Sequence, residues 1–60
     1  MKLVTVTKLD GQPAVINVDH IVVVFSSEDG ARIVLSNGID LYVKAKLPEV
    51  QRQIDEAAAA

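Results

Sequence analysis

Ile21-Val22-Val23-Val24-Phe25 is an unbroken apolar run in which four of the five residues are β-branched. It falls far short of the about 18 apolar residues that mark a membrane-spanning helix. It reads instead as a strand that meets apolar material on both faces. A chain of 60 residues has little interior to offer both sides of one strand. The run therefore asks what covers its second face: a closed barrel, a C-terminal helix or another subunit.

On either side of the run lie further short extended segments. Residues 2–9 are rich in Val and Thr with a lysine near each end, and they predict a strand. Val4 and Val6 share one face; Leu3, Thr5, Thr7 and Leu9 share the other. Asp10-Gly11 then signals a primed two-residue hairpin turn. Pro13, with no N–H to donate, belongs at a strand start or on an edge. Residues 14–18 return, and Asn17 and Asp19 bracket a bend in which their side chains hold backbone N–H groups. After the apolar run, Ser26–Gly30 is a polar loop, residues 31–35 are a fourth strand, and Asn37-Gly38 is a second primed-turn signal. Residues 39–43 alternate, with Ile39, Leu41 and Val43 inward and Asp40 and Tyr42 outward.

The period changes after Lys46. Leu47, Val50 and Ile54, continued by Ala57 or Ala58, form the stripe of an amphipathic helix. Pro48 suits its first turn and Glu49 its positive end. The expected fold is mainly β with one α element: a small antiparallel five-stranded sheet, or a partly closed barrel, with one C-terminal helix at about 47–57. Residues 1–56 make a single β-rich domain and residues 57–60 an alanine tail.

Composition narrows the function. A domain this small buries only about 60% of the surface of its unfolded chain and needs a supplement. With no cysteine and one histidine, neither disulfides nor a structural zinc site supplies it. Self-association is the remaining supplement, and it fits a chain half of whose residues are hydrophobic. Six basic against eight acidic residues, a net charge of −2, is not the footprint of a domain that grips nucleic acid by its phosphates. No run is long enough to insert in a membrane. The start, Lys2 followed by alternating Val and Thr, does not have the form of a signal peptide, so a cytoplasmic location is expected.

Candidate chemistry is sparse. His20 follows Asp19, but adjacent strand residues point to opposite faces, so the pair reads as a strand entry rather than a proton relay. Glu28, Asp29 and Asp40 lack the spacing of a cation loop. Neither Asp29-Gly30 nor Asn37-Gly38 leads into a helix as a phosphate loop would. No catalytic, metal-binding or cofactor-binding residue is expected, and there is no evident room for a pocket of about 300 Å³. An enzyme is the least favoured class. Two surfaces remain. Ile21, Val22, Val23, Val24 and Phe25 are candidates for an oligomer or protein-partner interface, since an uncovered strand of this kind invites aggregation; a strand of the domain's own core is the equally weighted reading. Lys44, Lys46 and Arg52, with Tyr42 outward, form the one basic cluster and a candidate nucleic-acid platform, which a solvated face explains better.

Five stretches taken together resemble a known family. They are Thr7-Lys8-Leu9-Asp10-Gly11, Ile16-Asn17-Val18-Asp19-His20-Ile21, Ile33-Val34-Leu35-Ser36-Asn37-Gly38, Tyr42-Val43-Lys44 and Pro48-Glu49-Val50. The chain resembles the small flagellar proteins of the FlbD (SwrD) type over about residues 5–54. Those proteins usually carry acids after the Ile step, where this chain has Val22-Val23-Val24. The resemblance implies a cytoplasmic, non-enzymatic accessory protein linked to motility, and it assigns no catalytic residue. Ile21 through Ile54 is also similar to the closing half of LytTR-type DNA-binding domains, which would imply a small nucleic-acid-binding regulatory module. The reading adopted is a self-associating interaction or regulatory protein with an unidentified protein partner; the nucleic-acid module is the alternative.

Overall fold

The computed structural model describes residues 2–59. The chain is mainly β with one C-terminal helix. Strands β1 (Leu3–Thr7) and β2 (Pro13–Asn17) form a hairpin in which Val4 faces Ile16 and Val6 faces Ala14. A short 3-10 turn, Val18–His20, follows, and the Asn17 side chain accepts the Asp19 N–H at its start. Strands β3 (Ile21–Ser27), β4 (Gly30–Leu35) and β5 (Asp40–Val43) form a meander in the order β3-β4-β5. Helix α1 (Leu47–Ala59) closes the chain.

The five strands thus divide between two antiparallel sheets rather than forming one, and no barrel closes. The sheets are joined where β1 runs out. Lys8 bridges Val43; the Lys44 N–H donates to the Thr7 carbonyl and the Leu9 N–H to the Tyr42 carbonyl, each at 3.0 Å. Beyond Lys44 the chain leaves for α1, so most of β1 has no strand on that side.

The two turns that flank this joint share one design, and it is not the primed turn that Asp-Gly and Asn-Gly suggest. Gly11 N–H donates to Lys8 and Lys8 N–H to Gln12; likewise Gly38 N–H donates to Leu35 and Leu35 N–H to Ile39. The Asp10 carboxylate accepts the Gln12 N–H, and the Asn37 amide oxygen accepts the Ile39 N–H. Only the glycines take positive φ, 89° and 88°. A primed type I turn would force Asp10 and Asn37 there as well. The result is a three-residue loop, in which the Asx side chain stabilises an ordinary turn and glycine alone accepts the left-handed position. One consequence corrects the expected alternation: Ile39 closes the loop opposite Leu35 and is 53% exposed rather than inward, and β5 starts at Asp40.

Asp29-Gly30 is different. The turn residues are Glu28 and Asp29, and Gly30 already pairs with Ser27 as the first residue of β4. Gly30 is needed because β4 starts hard against the end of β5: a Cβ there would lie 1.9 Å from the Val43 carbonyl oxygen.

The apolar run resolves through a bulge. Phe25 faces Arg32, Val24 faces Ile33 and Val23 faces Val34, but Ile21 faces Leu35, so Val22 is an extra residue. Alternation is broken there. Ile21 and Val24 pack against the core, while Val22, Val23 and Phe25 are 65%, 37% and 48% exposed. The strand does not need apolar cover on both faces throughout, because the bulge sends three of its five apolar residues outward.

The core is correspondingly small. Val6, Ile16, Ala31, Ile33, Val43 and Val50 are buried, with Val4, Ala14, Leu35, Leu41, Ala45 and Ile54 packed around them. Helix α1 lays Val50 and Ile54 over this cluster and touches β1, β3, β4 and the 3-10 turn. It takes in three of the four terminal alanines, to Ala59; Ala60 lies outside the described residues. The Lys2 ammonium donates to the Ala58 carbonyl at 2.8 Å, a cation on helix carbonyls that have no intrahelical partner.

Two substitutions test this packing by urea denaturation. Ile33→Ala empties a fully buried site and is expected to cost about 3 kcal/mol, a large part of the stability of so small a domain. Gly30→Ala forces β4 away from β5 and is expected to cost about 2–3 kcal/mol, more than Gly11→Ala, whose new Cβ meets open space and adds about 1–2 kcal/mol of backbone strain. Equal losses at the two glycines would contradict the close approach of β4 to β5.

Candidate functional site

The outward face of the three-stranded sheet is the most developed surface of the molecule. The register places Phe25, Arg32 and Tyr42 in one row across β3, β4 and β5, and Val23, Val34 and Asp40 in the next. The Arg32 guanidinium lies 5.7 Å from the Phe25 ring centroid and 6.0 Å from that of Tyr42, within range of attraction by both ring faces. Asp40 fixes it from the neighbouring row, with Arg32 Nε donating at 2.8 Å and the Nη2 ion pair at 2.7 Å. A planar cation is thus held between two aromatics while its charge is met locally. Beside it stand Val22, Val23 and Phe25. β3 is also the end strand of its sheet, and among the described residues no strand or loop bonds to its far edge.

Of the residues expected at an interface, Val22, Val23 and Phe25 share this face, while Ile21 and Val24 belong to the core side. Arg32 is the residue that sequence reasoning passed over. The two-residue turn at Glu28-Asp29 sets Ser27 opposite Gly30 and hence Phe25 opposite Arg32, so its place follows from turn length once that turn is recognised.

The four residues of the basic candidate do not converge. Tyr42 stands beside Arg32 on the sheet face. Arg52 is on α1, across a cleft from Leu3, Val4 and Thr5. It donates to Glu49 and Glu56, so its charge is already met on the helix; the Arg52 hydrogen bond holds the Glu49 carboxyl below its ordinary range, and Glu49 in turn raises Arg52. The Lys46 ammonium reaches the Glu28 carbonyl at 3.4 Å. Lys44 is exposed and makes no ion pair among the described residues.

His20 meets Ser36, with Nδ1 3.1 Å from Oγ, rather than Asp19. Among the described residues no group of His, Cys, Asp and Glu is placed to hold a metal ion, and no helix is long and apolar enough to cross a membrane. The expectation that the surface has no room for a pocket is overturned. A cleft of about 300 Å³ lies beside His20 and Ser36, and clefts of about 440 and 360 Å³ flank Gln53 between α1 and β1.

No curated protein and no solved structure matches the chain. The sequence model of the FlbD family, described as flagellar and swarming motility proteins, matches residues 3–60. That span takes in every strand and the helix, and on it the chain belongs to the FlbD family of flagellar and swarming motility proteins.

Proposed function

We propose that this protein is a non-enzymatic cytoplasmic accessory of motility that works by assembling, copy against copy, through β3. The observation that carries this reading is the pairing of an open strand edge with Val22, Val23 and Phe25 exposed beside it. An edge of unpaired N–H and C=O groups accepts another strand, and a second copy of β3 is self-complementary under a two-fold axis. Antiparallel pairing of two β3 edges joins two three-stranded sheets into one and makes their outward faces continuous. Phe25 and the adjacent valines then lie along the seam beside their counterparts, each partly shielding the other. Arg32, already paired with Asp40, brings no bare charge to the contact and contributes a flat surface against both rings. A regulatory role follows if assembly, rather than catalysis, is what a motility partner reads.

Light scattering over a concentration series tests the reading. Wild type is expected as a dimer at micromolar concentration. Val22→Lys, at the most exposed of the strand's large apolar residues, is expected as a folded monomer whose stability changes by less than about 1 kcal/mol. Val24→Lys serves as the contrast: it drives a charge toward the core and is expected to unfold the domain. A wild type that stays monomeric at every concentration overturns the assembly.

A further inference from the structure

We propose a second binding site, independent of β3: the groove between β1 and α1 accepts an extended peptide segment of a partner protein, led by an acidic residue, as an added strand on β1. The hydrogen bonding of β1 defines the open edge. Lys2 and Lys8 bond toward β2, through the Val18 N–H and the Gln12 carbonyl. Alternation then turns the backbone groups of residues 3, 5, 7 and 9 the other way. Thr7 and Leu9 spend theirs on Lys44 and Tyr42. Leu3 and Thr5 have no described backbone partner on that side, because β5 ends at Val43 and the chain departs for α1.

The groove beside these groups has one wall and two ends and is open to solvent above. α1 forms its far wall with Arg52, Gln53 and Ala57. Lys44 and Ala45 close one end. The Lys2–Ala58 clasp ties β1 to the helix at the other. The two clefts within it, about 440 and 360 Å³, share Thr5 and Gln53. Gln53 Oε1 is shut off from solvent and has no hydrogen-bond donor, although a buried amide oxygen ordinarily finds one. An added strand continues the line of β5, antiparallel to β1, so its backbone pairs with Thr5 and Leu3, while a turn of the half-buried Gln53 side chain brings its amide oxygen to an N–H on the strand's other edge. Its first residue lies nearest Lys44, which makes no ion pair and no side-chain hydrogen bond among the described residues; at the other end the Lys2 ammonium is taken by the Ala58 carbonyl, and Arg52 is held by Glu49 and Glu56. That asymmetry selects an acidic residue at the leading end. The inward positions meet Val6 and Ala45 and suit small apolar side chains.

The test is amide NMR on the full chain with the peptide acetyl-Asp-Val-Ala-Val-Ala-amide, alongside a version led by lysine. Without peptide, the Leu3 and Thr5 amides are expected to exchange quickly while those of Val4 and Val6 are protected. Peptide is expected to protect Leu3 and Thr5, with the lysine-led version binding about tenfold more weakly, the loss of one favourable contact. Thr5→Pro removes the open-edge N–H, a change that edge positions tolerate, and is expected to abolish binding in a variant still folded by circular dichroism. Gln53→Leu provides a readout that does not depend on Thr5: relieved of its unpaired oxygen the protein melts higher, yet binds the acidic peptide about tenfold more weakly. Absence of protection at Leu3 and Thr5 at millimolar peptide overturns the proposal, as does peptide protection confined to Val24 and Ser26 on β3. Equal binding of the two peptides overturns the acidic preference.

Discussion

The structure depends on a joint of two backbone hydrogen bonds. Lys44 N–H to Thr7 and Leu9 N–H to Tyr42 hold the hairpin against the meander. Without them the molecule is a two-stranded hairpin, too small to be stable alone, and a three-stranded meander whose inward face has lost its cover from β1 and β2. With them, the inward faces of β1 and β2 meet those of β4 and β5 at an angle, and the hollow between them can be filled by one short helix. Val50 is the plug, buried against the layer formed by Ile33 and Val43. The joint is only a few residues long because β5 is. Gly30 allows β4 to crowd the end of β5, and Lys44 to Lys46 then redirect the chain into α1. The same brevity opens the groove beside β1.

The sequence made most of the elements legible, through signals that act locally. The inward pair Val4 and Val6, the Asn17 bend, the change of period after Lys46 and the places of the Asp10-Gly11 and Asn37-Gly38 turns follow from side-chain alternation and short-range hydrogen bonding, whereas the loop expected at Ser26–Gly30 shrinks to the two residues Glu28 and Asp29. Features set by nonlocal geometry were less accessible. Asp10-Gly11 and Asn37-Gly38 mark turns correctly, but whether Asp and Asn also take positive φ depends on the strands they connect. Here each keeps an ordinary φ and uses its side chain as an acceptor. The division into two sheets was hidden because a pattern of apolar positions gives faces, not the angle between them.

The bulge at Val22 is the sharpest instance. Three consecutive valines contain no glycine, proline or polar residue to show where alternation slips. Slippage is settled by the partner strand, where Ile33 must lie inward at zero exposure and draws Val24 with it. At the other end of β3 the tight turn fixes Phe25 against Arg32. The strand entry at Ile21 also has to reach the core. One extra residue between these two anchors satisfies both, and Val22 is expelled. The cluster of Phe25, Arg32, Tyr42 and Asp40 is a second product of the same register, which is why residue type alone did not mark Arg32.

Small size connects these features to function. A domain of this length cannot enclose a deep site, since nearly all its interior is used to hold its strands together. Surfaces carry recognition in such a domain, where an unpaired strand edge offers main-chain hydrogen bonds and the side chains beside it supply the specificity. Natural sheets ordinarily protect such edges. β2 does so with Pro13 at its start, and the bulge distorts the entry to β3. Beyond the bulge, however, β3 carries Phe25 rather than a guarding charge, and β1 is left open opposite a buried, unpaired amide oxygen. Each exposed group has an energetic reason to find a partner. On β3 that partner must cover apolar surface; on β1 it must supply backbone hydrogen bonds and a negative charge. The two needs differ, and under the two proposals β3 would take a second copy of the chain while β1 would take a segment of another protein.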